Sequence, residues 1–164
     1  MGSAYFESIL LIEKLHRQFL EVVKVVLDVG GVTDINNVQA LILYNLGEDD
    51  LTVGELTYRG YYLGSNVSYN VKKMAENGYL VQERSSFDKR TVRVRLSAKG
   101  LALRDRLRGM FDSHEARLGR GGLDDAGLAG ANATLKSLER FWRDMMNETL
   151  AAREPELRVA GARS

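Results

Sequence analysis

The sequence predicts a mainly α fold carrying one small β-hairpin, an α+β chain in which helices dominate. Three observations predict it. Apolar residues recur at spacings of three and four through most of the chain, the period of a helical face. That period gives way to strict alternation only near Leu80–Leu96. Finally, Ser, Thr, Asn or Asp precede the apolar runs and glycines follow them, which is the punctuation of helices.

The first predicted element is a long helix from Tyr5 to Val29. Ile9, Ile12, His16, Phe19, Val23 and Val26 form one face, and Leu11, Leu15 and Val22 add a second apolar stripe. A helix apolar on more than one side must pack against several elements or another subunit. Gly30-Gly31 closes it. Asn36 or Asn37 can cap a second helix through Val38, Leu41, Ile42, Leu43 and Leu46, and Gly47-Glu48-Asp49-Asp50 is a polar break. Thr52 opens a third, short helix. Glu55 completes a Thr-x-x-Glu capping box, and Leu51 with Leu56 forms the hydrophobic staple. Arg59 to Gly64 reads as a turn, and Ser65 caps a fourth helix that ends at Asn77-Gly78.

Leu80 to Arg84 is a short strand, followed by a polar loop. In the next strand Val92, Val94 and Leu96 face one way while Thr91, Arg93 and Arg95 face the other. Ser97 caps a fifth helix with Leu103, Leu107, Met110, Phe111, His114 and Leu118 at helical spacing. Gly119-Arg120-Gly121-Gly122 interrupts it. A last helix starts near Asp124. Its seam of Leu128, Ala131, Leu135, Leu138, Trp142, Met145 and Thr149 has coiled-coil spacing, and Gly127 and Gly130 weaken its first turns. The tail from Ala151 to Ser164 is expected to fray.

Composition narrows the function. With 164 residues and 45% hydrophobic content, the chain fits one domain with a real core. The absence of cysteine excludes disulfides, thiol redox sensing, iron–sulfur clusters and thiolate zinc sites. With only His16 and His114, an imidazole-rich metal centre is not expected either, and no cofactor is. No apolar run approaches the roughly 20 residues of a membrane span, and the N-terminus lacks the pattern of a signal peptide. A cytoplasmic protein without membrane contact is the expectation. No nucleophile elbow, phosphate loop or HExxH motif is visible, and the pairs Asp49-Asp50 and Asp124-Asp125 stand at loop–helix junctions, where capping and helix-dipole roles explain them. The chain does not read as an enzyme.

The net charge of +1 conceals a strong asymmetry. Residues 1–58 carry 3 Lys/Arg against 9 Asp/Glu, whereas residues 59–99 carry 9 against 3. The basic segment is where a polyanion would bind. It coincides with a motif. Three short helices followed by a hairpin make a winged helix–turn–helix, whose second motif helix enters the DNA major groove. On that helix Val67, Val71 and Met74 cluster as the core face, and Ser65, Ser68, Tyr69, Lys72 and Lys73 fall opposite them with Glu76. This outward set can reach base edges and phosphates. Asn70 falls beside the core stripe and needs a hydrogen-bond partner if buried.

Four stretches give the sequence a resemblance to the MarR family of bacterial transcriptional regulators. They are Leu51-Thr52-Val53-Gly54-Glu55-Leu56, Asn66-Val67-Ser68, Gly78-Tyr79-Leu80-Val81, and Asp88-Lys89-Arg90 followed by Val94-Arg95-Leu96-Ser97-Ala98-Lys99-Gly100. The resemblance spans roughly Tyr5 to Leu150. It implies one domain over residues 1–150, with residues 5–35 and 100–150 supplying dimerisation helices, 36–99 forming the DNA-binding lobe, and 151–164 a flexible tail. It also implies a homodimeric regulator, a repressor by expectation, bound to a double-stranded operator and modulated by a small aromatic ligand.

Residue by residue, the resemblance assigns Arg90 to the minor groove, with Asp88 orienting it and Lys89 and Arg93 adding contacts from the wing. The ligand cleft falls to His16, Phe19, Tyr44 and Phe111, and the dimer interface to Ile9, Ile12, Leu135, Leu138, Trp142 and Met145. Two departures stand out. The turn Gly60-Tyr61-Tyr62-Leu63-Gly64 is longer and more aromatic than the family pattern, and Tyr69-Asn70 stands where many members have a basic residue followed by an aliphatic one. The competing function is an architectural or partner-binding winged helix without strong operator specificity.

Overall fold

The computed structural model describes residues 3–60, 64–84, 86–87 and 91–161. In chain order its elements are α1 (Ala4–Val29), α2 (Asn37–Leu46), β1 (Leu51–Thr52), α3 (Val53–Gly60), α4 (Gly64–Glu76), β2 (Leu80–Arg84), β3 (Val92–Leu96), α5 (Ala98–Leu118) and α6 (Asp125–Gly161). They divide inside α5 into two compact units, residues 1–113 and 114–164. The second half of α1 belongs with the first unit because Val23 and Leu27 are buried in the same core as α2.

Side-chain caps define the helix starts. Ser3 Oγ accepts from the Phe6 amide at 3.3 Å and opens α1. Asn36, rather than Asn37, opens α2. Its carboxamide oxygen accepts from the Gln39 amide at 2.8 Å, and Gln39 Oε1 accepts from the Asn36 amide at 3.1 Å. The expected Thr52–Glu55 box is present on α3, with bonds of 2.7 and 3.1 Å. Ser97 Oγ accepts from the Gly100 amide at the start of α5, and Asp124 Oδ1 accepts from the Gly127 amide at the start of α6.

The expected hairpin gains a third strand. Among the described residues the sheet is antiparallel in the order β1-β3-β2, with Leu51 opposite Val94 and Leu80 opposite Leu96. Two residues are too few to show a period, so β1 left no pattern in the sequence. Asp49 and Asp50 take a different role from the capping one expected of them. Asp49 pairs with Arg59 of α3 at 2.5 Å, and Asp50 pairs with Arg93 of β3 at 3.1 Å, so both tie the polar break to its neighbours.

Ile42, Leu43, Leu46, Leu56, Val67, Val71, Met74, Val94 and Leu107 lie at the centre of the first unit, each at most 1% exposed. One core therefore joins α2, α3, α4, the sheet and α5, and the outer face of α4 is positioned by the packing of its inner face.

In the second unit a 3-10 turn at Gly119–Gly121 and a left-handed Gly122 (φ 79°) separate α5 from α6. Helix α6 spans Asp125–Gly161. On the seam Leu128, Leu138 and Trp142 are half-buried, while Leu135 and Met145 are exposed. Among the described residues no helix is long and apolar enough to cross a membrane, and no group of His, Asp or Glu has metal-binding geometry.

Candidate nucleic-acid interface

Helices α3 and α4 form the helix–turn–helix, and its geometry follows from which side chains are sealed. On α4, Val67 is 0% exposed and Val71 and Met74 are 1% exposed, so the apolar stripe is locked into the core. The opposite face is open. Ser68, Tyr69 and Lys72 are exposed, with Tyr69 at 61%. Lys73 is half-buried and pairs with Glu76 at 3.1 Å; that carboxylate raises the lysine pKa above its usual value. The structure therefore brings Ser68, Tyr69, Lys72 and Lys73 onto the predicted surface. The side chain of Ser65 and all of Asp88, Lys89 and Arg90 lie outside the described residues.

The strands after α4 form the wing. Val94 and Leu96 are buried, whereas Arg93 and Arg95 point outward as the alternation predicts. Arg95 pairs with Glu83 across the β2–β3 ladder at 3.1 Å. Arg93 is drawn toward Asp50, donating to its carboxylate at 3.1 Å and to its backbone carbonyl at 2.5 Å. It braces β3 to the segment before β1, which leaves fewer of its donors for a polyanion. Arg84 makes no ion pair among the described residues and is exposed.

Two polar clusters whose partners the sequence did not reveal fix α4 and the turn that follows it. In the first, Gln39 of α2 is only 7% exposed, and its Nε2 donates to Asn70 Oδ1 at 3.1 Å. Asn70 Nδ2 in turn donates to the Asn66 carbonyl at 2.8 Å, so the partner required of Asn70 is supplied by α2. The Asn36-x-x-Gln39 spacing was the available signal. The second cluster centres on Asp34, in the α1–α2 loop. Its carboxylate accepts from Tyr79 Oη and from Lys99 Nζ, each at 2.5 Å, and its backbone carbonyl accepts from Asn77 Nδ2 at 2.6 Å. Lys99 also donates to the Asn77 carbonyl at 2.9 Å and lies 4.2 Å from the centre of the Tyr79 ring. The Lys99 and Tyr79 hydrogen bonds hold the Asp34 carboxyl below the usual carboxylate range. Burial, reinforced by Asp34, pushes the Tyr79 phenol above its usual range.

Of the ligand candidates, three meet. The Phe19 and Phe111 rings stack at 5.8 Å, and Tyr44 meets Phe111 edge-on at 4.8 Å. His16 is exposed, as is His114, although both lie on otherwise apolar faces. Of the α1 interface candidates, Ile9 and Ile12 are half-buried. Beside them Tyr5, Phe6, Leu10, Leu11 and Leu15 are 47–59% exposed.

Comparison with known proteins places this architecture. Residues 31–91, which contain the helix–turn–helix and the start of the wing, match the model of the MarR family. The chain is also 41% identical over 138 residues to ExpG, a transcriptional activator of exopolysaccharide II synthesis in Rhizobium meliloti, covering 84% of this chain and 71% of ExpG. This chain belongs to the MarR family of transcriptional regulators. Its fold is similar to that of Streptococcus pneumoniae FabT in complex with DNA (TM-score 0.67, 20% identity, 86% of this chain and 99% of FabT). It is likewise similar to S. aureus MepR in a DNA complex (TM-score 0.71, 19% identity, 86% and 99%). The family is one of regulators, not enzymes.

Proposed function

We propose that this MarR family member is a sequence-specific DNA-binding regulator that acts as a homodimer. The observation that carries the reading is α4. One face is sealed in the core, and the opposite face presents Ser68, Tyr69 and Lys72 within the basic segment of the chain. Tyr69 reads the major groove, where its ring can touch a thymine methyl and its hydroxyl can bond to a base. Lys72 and Lys73 contact phosphates, with Ser65 and Ser68 at the helix start. Arg90, with Asp88 and Lys89, reads minor-groove shape from the wing, and Arg93 is a secondary contact. The dimer rests on Ile9, Ile12, Leu135, Leu138, Trp142 and Met145, supported by the exposed apolar side chains on α1 and α6. The Phe19–Tyr44–Phe111 cluster supports a small aromatic effector, with His16 of the same face of α1 as a further candidate contact.

The test is a binding titration on a duplex that the wild-type protein selects from a random-sequence pool and on its scrambled counterpart, at two salt concentrations. Arg90→Ala should weaken binding to both duplexes alike, by roughly 1–3 kcal/mol. Tyr69→Ala should compress the ratio of selected to scrambled affinity with a smaller change in salt slope. If Tyr69→Ala leaves the ratio intact, the assigned face is wrong. Steep salt dependence with no preference among duplexes would favour an architectural protein. Repression is the expected sign of regulation. A second reading, activation, is favoured by the 41% identity to an activator. A promoter fused to a reporter, with and without the protein, separates the two.

A further inference from the structure

We infer that Asn70, through its bond to Gln39, is a positioning residue that sets the roll of α4 and thereby its sequence preference; this inference rests on the reading of α4 as the DNA-reading helix. Taking 100° per residue, Asn66, Asn70 and Asn77 fall within about 40° of one another on one flank of the helix, between the core stripe and the outward face. Two tertiary hydrogen bonds of that flank go to one short stretch of chain. Asn70 accepts from Gln39 at 3.1 Å, and Asn77 donates to the Asp34 carbonyl at 2.6 Å. Gln39 is itself fixed by the α2 capping box, since its Oε1 accepts from the Asn36 amide at 3.1 Å. Residues 34–39 therefore hold α4 at Asn70 and at Asn77, the residue that closes its C-terminal end, two points about 10 Å apart along its axis.

The distinction from ordinary packing is directional. An apolar stripe of Val67, Val71 and Met74 fixes which side of α4 faces inward, but dispersion contacts tolerate small rotations. A hydrogen bond inside a core does not, because it weakens steeply with angle. A roll of about 20° moves the outer surface of a helix, 5–6 Å from its axis, by about 2 Å. That is enough to take Tyr69 out of hydrogen-bonding range of a base. Asn70 thus places a directional contact next to the residue that reads the groove.

The experiment uses the 164-residue chain and the selected and scrambled duplexes described above. Asn70→Leu leaves Gln39 Nε2 buried without its acceptor, so it should lower both stability and the selected-to-scrambled ratio, the ratio by tenfold or more. The double variant Gln39→Leu/Asn70→Leu replaces both partners by apolar groups. It should recover most of the thermal stability, since no buried amide is orphaned, yet keep the lowered ratio. Affinity for the scrambled duplex and its salt slope should match wild type in both variants. If the double variant recovers the ratio together with stability, the pair is structural only and the inference fails. An unchanged ratio in Asn70→Leu overturns it as well. Failure of the wild-type protein to bind any duplex would instead overturn the function itself, and the inference with it.

Discussion

Gly100→Ala sets two opposed effects against each other at a single methyl group. Gly100 lies in the first turn of α5, where alanine is a better helix former by about 0.5–1 kcal/mol. Against this, a Cβ built on Gly100 would stand 2.3 Å from the Tyr79 carbonyl oxygen and 3.3 Å from Leu96 Cβ and Cδ2. Relief needs a movement of about 1 Å, as over-packed sites do, costing typically 1–3 kcal/mol. The obstructing atom is backbone and cannot rotate away. It also accepts from the Ser97 amide at 3.0 Å, so displacing it strains the junction between β3 and α5. The clash wins. The expected net loss is about 1–2 kcal/mol, or about 2–8 °C in Tm for a chain of this size. Gly109, in the same helix, has nothing within 4 Å of its Cβ position, so Gly109→Ala should gain about 0.5–1 kcal/mol. Thermal and urea unfolding followed by circular dichroism measure both. A Gly100→Ala protein as stable as wild type, or more so, would refute the close packing of α5 on the Tyr79 carbonyl.

Thr52→Ala removes one half of the α3 capping box and should cost about 0.5–2 kcal/mol in urea unfolding. The Asp34 carboxylate has a folded-state pKa below its unfolded value, so its stabilisation is complete above the ordinary carboxylate pKa and is lost as pH falls through the lower folded value. Asp34→Asn should therefore destabilise at neutral pH and flatten the acid limb of a stability-versus-pH curve. Mild thiol oxidants should leave duplex binding unchanged, because the chain has no cysteine to oxidise; a loss reversed by dithiothreitol would contradict this.

Local chemistry was legible in the sequence, and contacts between distant residues were not. Asn36, Thr52 and Ser97 announce helix starts because each satisfies an amide three residues away, a relation visible in one dimension. The inner face of α4 and the alternation of β3 follow from period alone. The Asp34 cluster joins residues 34, 77, 79 and 99, and no spacing rule connects them. The pairing of Asp50 with Arg93 is hidden for the same reason. Asn70 is intermediate. Its angle beside the core stripe demands a partner, but only the fold shows that α2 provides it. The aromatic ligand candidates divide similarly: Phe19, Tyr44 and Phe111 meet, whereas His16, on the same face of α1 as Phe19, remains exposed.

The central claim is that α4 of each protomer enters a major groove of one operator. Methylation interference on the selected duplex tests it directly, because guanine N7 lies in the major groove. The account predicts that N7 methylation weakens binding at two symmetry-related clusters, one helical turn (about 10 base pairs) or a multiple of it apart. Binding indifferent to N7 methylation, or disturbed at one cluster only, would contradict it.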